Sequence, residues 1–217
     1  VPYNRKLWTV EPEELSAAWC GRFVPRPTLA EVVEGALGIT SDAAGYNATF
    51  YYPARGGIES LVKAMRSKLR GGELELSATP VAVDWRRRTV ALADGRTFEY
   101  SRLISTIAMP EIVRLIAAGA SGAPEDVVAA SRKLRATTVT YVNVAARGAN
   151  PEPWHWVYLP EPEFGAYRAG SPSAVHPDLA PPSCCSFYVE YSHRGELGKA
   201  ACEQRAVEDL LRARLLS

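Results

Sequence analysis

The chain has 217 residues, and its 25 Lys plus Arg stand against 24 Asp plus Glu; the resulting net charge of +1 excludes the strong one-sign field of a nucleic-acid or membrane-surface binder. With 47% hydrophobic and 23% charged residues it reads as a globular protein with ample core, as one large domain or two small ones. No stretch reaches membrane-span length and the opening lacks a signal-peptide core, so a cytoplasmic protein is expected.

Cys20, Cys184, Cys185 and Cys202 lack zinc or C-x-x-C spacing, and the three histidines are scattered. Reduced cysteines acting as small apolar fillers, and no metal site, are expected. Pro12 opens a short helix running to Trp19. Thr28 and Glu31 have the spacing of a capping box, followed by Leu29, Val32, Val33, Ala36 and Leu37, with Gly38 as the stop.

Gly45 to Leu61 reads as a strand (Phe50, Tyr51, Tyr52), a turn at Gly56-Gly57 and a helix whose Ile58, Leu61, Val62, Met65 and Leu69 share one face. Leu74 and Leu76 alternate with polar residues, and Val81 and Val83 repeat the two-residue period. Arg86-Arg87-Arg88 marks a solvated hairpin turn, and Asp94-Gly95 a second hairpin. Leu103 to Ile107 has the pattern of a fully buried strand. Helices are predicted over 111–118 and 124–134, and a long strand over 136–146. Shorter strands are predicted over 154–159, 164–168 and 185–191, and a closing helix over 197–216. Short loops after Ala136 predict antiparallel pairing. The expected fold class is α+β, a largely antiparallel sheet with flanking helices.

No G-x-S-x-G, H-E-x-x-H, P-loop or G-x-G-x-x-G is present, so local motifs assign no catalytic residue. Five longer blocks carry more information: PYNRKLW (Pro2 to Trp8), AWCGRFVPRPTL (Ala18 to Leu29), GYNATFYYPARGG, TVALADGRTFEYSRLISTIAMP (Thr89 to Pro110) and WVYLPEPEFGAYRAG (Trp156 to Gly170). In collinear order they resemble flavin-dependent UDP-galactopyranose mutases, the eukaryotic-type branch above all, within the wider amine oxidase and protoporphyrinogen oxidase-like flavoproteins.

The resemblance implies a parent enzyme that interconverts UDP-galactopyranose and UDP-galactofuranose. In that family FAD does the covalent chemistry and the protein supplies positioning and electrostatics. It also implies that residues 1–44 are a helical segment, 45–135 part of the FAD domain, and 136–217 a substrate-facing antiparallel sheet with a C-terminal helix. The chain resembles a central piece, starting after the dinucleotide fingerprint and ending before the second flavin segment. It is expected to be inactive alone and not to retain FAD. Apolar faces left uncovered predict self-association or a disordered opening segment.

By position in the motifs, Arg168 is the implied pyrophosphate arginine, a role suited to a planar guanidinium, and Tyr158 the hydroxyl donor to the same diphosphate. Asn4, Trp8 and Asn47 are implied in the nucleotide and sugar pocket. The second pyrophosphate arginine falls on Phe23, so either Arg22 supplies it by a one-residue shift, or Arg26 reaches in, or the contact is lost. No tyrosine lies between Ser171 and His176, where mutases carry one, and Pro80 replaces a backbone donor near the adenine site. Cofactor-binding residues are therefore left unassigned. Two rival functions stay open: an amine or porphyrinogen oxidase, and a ligand-binding module without catalysis.

Overall fold

The computed structural model describes residues 2–20, 27–39, 50–71, 74–148 and 154–216. The chain divides into two compact units, Val1–Lys63 with Thr137–Ser217, and Ala64–Ala136.

In the larger unit the opening helix α1 (Pro2–Trp8) packs on strand β7 (Cys184–His193). Pro2–Trp8 is helical along its whole length. The stretch from Pro12 to Trp19 forms two 3-10 turns, Pro12–Glu14 and Ala17–Trp19, rather than one helix. Helix α2 (Leu29–Ala36) starts at the predicted capping box: the Thr28 hydroxyl accepts from the Glu31 N–H, and the Glu31 carboxylate accepts from the Thr28 N–H at 2.6 Å.

Phe50 to Tyr52 is not a strand; no ladder partner meets it among the described residues, and Tyr51 is fully exposed. The turn that follows does need its glycines, because Gly56 and Gly57 have φ of +77° and +64°. Helix α3 (Glu59–Arg66) begins directly afterwards.

The main sheet has the order β4-β7-β6-β5, antiparallel throughout, with β4 at Thr138–Arg147, β5 at Trp156–Tyr158 and β6 at Arg168–Gly170. Predicted strand 164–168 starts late, because the backbone from Glu161 to Ala166 is turned towards side chains of other elements. One face of the sheet forms the core. There Val142, Val144, Val157, Ala169, Phe187, Val189 and Tyr191 meet Cys202, Ala206 and Leu210. The last three come from the closing helix, Lys199–Arg212. Burial of that apolar surface is the main stabilising term, at about 25 cal/mol per Å². The opposite face carries Tyr141, Trp156, Arg168, Tyr188 and Glu190.

The smaller unit is a three-stranded antiparallel sheet in the order β1-β2-β3 (Pro80–Asp84, Thr89–Leu92, Thr97–Glu99). It also contains helix α4 (Met109–Ala118), which packs on β1, and helix α5 (Glu125–Ser131). Val83, Leu92, Val113 and Leu115 form its core. The arginine turn is as predicted. Beneath it the Asp84 carboxylate accepts from the N–H groups of Arg86 and Arg87 and from the Ser121 hydroxyl at 2.7 Å.

Leu74 and Leu76 form no strand. Leu103 to Ile107 is neither strand nor helix, with Ile104 91% exposed. An apolar run encodes the wish to be covered but not the cover, and no described strand pairs with it. Among the described residues no helix is long and apolar enough to cross a membrane, no His, Cys, Asp and Glu group could hold a metal ion, and the four cysteines are unbridged.

Candidate functional site

In the larger unit a cavity of about 470 Å³ opens over the non-core face of the sheet. That is within the usual range for small-molecule sites. Strand alternation sends Trp156, Arg168, Tyr188 and Glu190 into it, while Val157, Ala169, Phe187, Val189 and Tyr191 beside them face the core. Phe50, Tyr52 and Ile58 from the segment around the glycine turn form another wall. The turn is close-packed: a Cβ on Gly57 would lie 3.3 Å from Leu179 and 3.6 Å from the Tyr52 hydroxyl.

Arg168 is the fixed cation of the cavity. Its Nε and Nη2 donate to the two carboxylate oxygens of Glu190, at 2.6 and 3.0 Å. Its guanidinium lies 4.2 Å from the centre of the Trp156 ring. The Glu190 side chain is 5% exposed and that of Arg168 30%. Tyr167, the residue before Arg168, donates its hydroxyl to the same carboxylate. Burial works against the charge on Arg168, but Glu190 outweighs it and holds the guanidinium above its ordinary range. With Nε and Nη2 engaged, the Nη1 edge is the part of the fork left to receive an anion.

The surrounding phenols are donors at neutral pH. Burial pushes Tyr3 up to about 12, and burial with the Glu190 carboxylate raises Tyr167 and Tyr188. His155, against Phe50 and Trp156, is lowered by burial and so is biased to the neutral form. This arrangement can stack a flat ring on aromatic walls and hold an anion on one guanidinium edge.

Of the sequence-derived candidates, Arg168 lines the cavity. Tyr158 is its direct partner across the β5–β6 ladder, yet its side chain is 54% exposed and is not part of the lining. Tyr3 of α1 packs edge-on against Tyr158, with ring centres 5.1 Å apart, and Asn4 and Trp8 lie on the same helix outside the lining. Asn47 and Arg22 lie outside the described residues. Sequence reasoning missed Glu190, Trp156, Tyr188, Phe50 and Tyr52. The signal for Glu190 was available in CSFYVEY, where a lone charge occurs in an otherwise apolar and aromatic strand.

Comparison with known proteins fits this geometry. Residues 7–210 match the family described as flavin containing amine oxidoreductase. A solved structure of reduced UDP-galactopyranose mutase superposes with a TM-score of 0.86 at 25% identity. The match covers 100% of this chain and 48% of that one, so this chain spans about half the length of the mutase. A solved protein from Pyrococcus furiosus matches with a TM-score of 0.50 at 19% identity, over 63% of this chain and 33% of that one, a likeness of fold alone.

Proposed function

The chain belongs to the family of flavin containing amine oxidoreductases, and from that premise we propose that its larger unit is the substrate-facing half of a UDP-galactopyranose mutase-like flavoenzyme, with a UDP-sugar as ligand. The observation that carries the reading is the Arg168 guanidinium, fixed by Glu190 and Trp156 at an aromatic cavity, in a chain whose whole length superposes on a mutase. The uracil ring suits the aromatic walls, and the diphosphate suits the Nη1 edge of Arg168, reinforced by the Tyr158 hydroxyl one strand away. Asn4, Trp8, Asn47 and Arg22 complete the proposed set of ligand contacts.

FAD is implied by the family, and when bound it supplies the redox and covalent chemistry. Dinucleotides are cradled where a parallel strand turns into a helix N-terminus. The strand pairs described here are all antiparallel, so these residues do not form such a cradle and no flavin contact is assigned to them. The chain's own part is to bind the nucleotide, orient the sugar and exclude water.

The rival, an amine oxidase with a cationic substrate on Glu190, is less favoured. Glu190 already accepts two guanidinium N–H groups and the Tyr167 hydroxyl. Titration calorimetry with UDP and with simple alkylamines separates the two. UDP binding that Arg168→Ala abolishes supports the nucleotide reading; amine binding without UDP binding overturns it.

A further inference from the structure

The loop that joins Tyr158 to Arg168 is built around a charge from elsewhere in the chain. Lys6, on α1, reaches into it, and its Nζ donates to the carbonyl oxygens of Leu159, Glu161, Phe164 and Ala166, at 2.6, 3.0, 2.9 and 2.7 Å. Four converging carbonyls around one ammonium are the arrangement expected of a cation site, here filled by a tethered cation. From the opposite side the buried Asp209 carboxylate accepts the N–H groups of Gly165 and Ala166, at 3.2 and 2.8 Å, and the Tyr191 hydroxyl at 3.1 Å. The peptide unit between Phe164 and Gly165 therefore has its carbonyl on the ammonium and its N–H on the carboxylate. Its dipole lies between opposite charges.

The clamp meets a local need. Pro160 and Pro162 cannot donate, and the loop's inward carbonyls have no strand opposite. The loop is closed on itself by the Leu159 N–H to the Tyr167 carbonyl, at 2.9 Å, and its two ends run directly into Tyr158 and Arg168. Whatever fixes this loop fixes the spacing of those two side chains. Burial lowers the Lys6 pKa while the Asp209 charge opposes the fall, as expected of an ammonium held inside the structure.

We infer that Lys6, opposed by Asp209, is a positioning residue: its ammonium templates the 159–167 loop and so sets Arg168 and Tyr158 for an anionic ligand. The ligand part of this inference rests on the UDP-sugar reading; the templating part does not. Lys6 does not touch the cavity, so it acts through the loop.

The test uses the whole 217-residue chain as wild type, Lys6→Met (same stem, no charge) and Lys6→Ala (space left behind). Hydrogen exchange at the Gly165 and Ala166 amides is read against the amides of β7. Lys6→Met is expected to speed the two loop amides by about ten- to a hundredfold while β7 keeps its protection, the range for losing hydrogen bonds to a charged group. In Lys6→Ala, n-propylammonium is expected to restore slow exchange, and tetramethylammonium at the same ionic strength is not. UDP affinity should fall about tenfold or more in Lys6→Ala and return with n-propylammonium. Unchanged loop amides in Lys6→Met, equal acceleration throughout the chain, or absence of rescue each overturn the templating role. If neither variant folds with or without the amine, Lys6 is a stability residue and the inference fails. If wild-type chain does not bind UDP, the ligand reading falls, and amide exchange with amine rescue still decides the clamp.

Discussion

Two arginines with nearly the same partners show how this chain separates a site from a surface. Arg96, in the smaller unit, pairs with Glu75 and Asp94 at 2.9 and 2.8 Å and lies 5.6 Å from the centre of the Phe98 ring. Arg168, in the larger, pairs with Glu190 and stacks on Trp156. The contact types match, but the side chains of Arg96 and its partners are 44–48% exposed, whereas Glu190 is buried. In water an ion pair is screened and its side chains stay mobile, so it contributes little. A carboxylate removed from water must keep its partner, so Arg168 has a fixed direction and Arg96 does not. Partner lists alone would rank the two alike; burial distinguishes them.

The comparison breaks most visibly at Arg168 itself. Arg168→Ala leaves Glu190 buried with the Tyr167 hydroxyl alone. A destabilisation of about 2–4 kcal/mol is expected in urea unfolding, the buried-pair cost reduced for the guanidinium's partial exposure. UDP affinity should fall by about a hundredfold or more, read by calorimetry on the folded fraction. A loss in either quantity no larger than that of Arg96→Ala would erase the distinction.

Moving the ring beneath Arg168, rather than the charge, should have a smaller effect. A Cβ on Gly170 would come within 2.7–3.1 Å of Trp156 ring atoms, so Gly170→Ala must shift the tryptophan. We expect about 1–3 kcal/mol of destabilisation and a changed Trp emission spectrum, with UDP binding weakened but not abolished. Wild-type emission and affinity in this variant would show that the stacking does not position the guanidinium.

The smaller unit has its own buried carboxylate, Asp84, with structural partners only among those described. Its pKa is lowered, chiefly by the Arg87 N–H and the Ser121 hydroxyl, with burial opposing. A depressed folded-state pKa stabilises the fold above the ordinary carboxylate value and loses that contribution as pH falls through the depressed one. Acid unfolding followed by Trp85 should therefore show a dependence below about pH 4 that Asp84→Asn removes, with UDP binding at neutral pH unaltered. An acid profile identical in the variant would assign the dependence to other groups.

The smallest effect belongs to Arg96→Ala. Thermal midpoint and UDP affinity should both stay within measurement error, and a clear drop in either would mean that exposure is a poor guide to the value of an ion pair here.

Local signals were readable wherever a few neighbouring residues decide the structure. The Thr28–Glu31 box, the Arg86–Arg88 turn and the Asp94-Gly95 hairpin need only their own side chains and backbone. Leu103 to Ile107 failed because an apolar run states a requirement for burial without naming the partner that meets it. Arg168 could be placed by motif, but its state could not, because Glu190 is 22 positions away and meets it only through the β6–β7 ladder. The aromatic run at Phe50 and Tyr52 has the pattern of a strand, and its place on the cavity wall depends on the glycine turn folding the segment over the sheet.

The two-faced main sheet has one further consequence, for how this sequence can change. In β5, β6 and β7 the cavity residues Trp156, Arg168, Tyr188 and Glu190 carry even numbers, and the core residues Val157, Ala169, Phe187, Val189 and Tyr191 carry odd ones. The strands thus obey a reading frame of two. Gaining or losing a single residue inside β7 would reverse the faces of every residue on one side of the change, sending cavity side chains into the core or core side chains into the cavity. A change of two residues would keep the frame. Drift in these strands is thus free to replace side chains one at a time but not to alter the count by one, and an alignment of relatives that shifts β7 by one position betrays itself by placing a carboxylate among Cys202, Ala206 and Leu210.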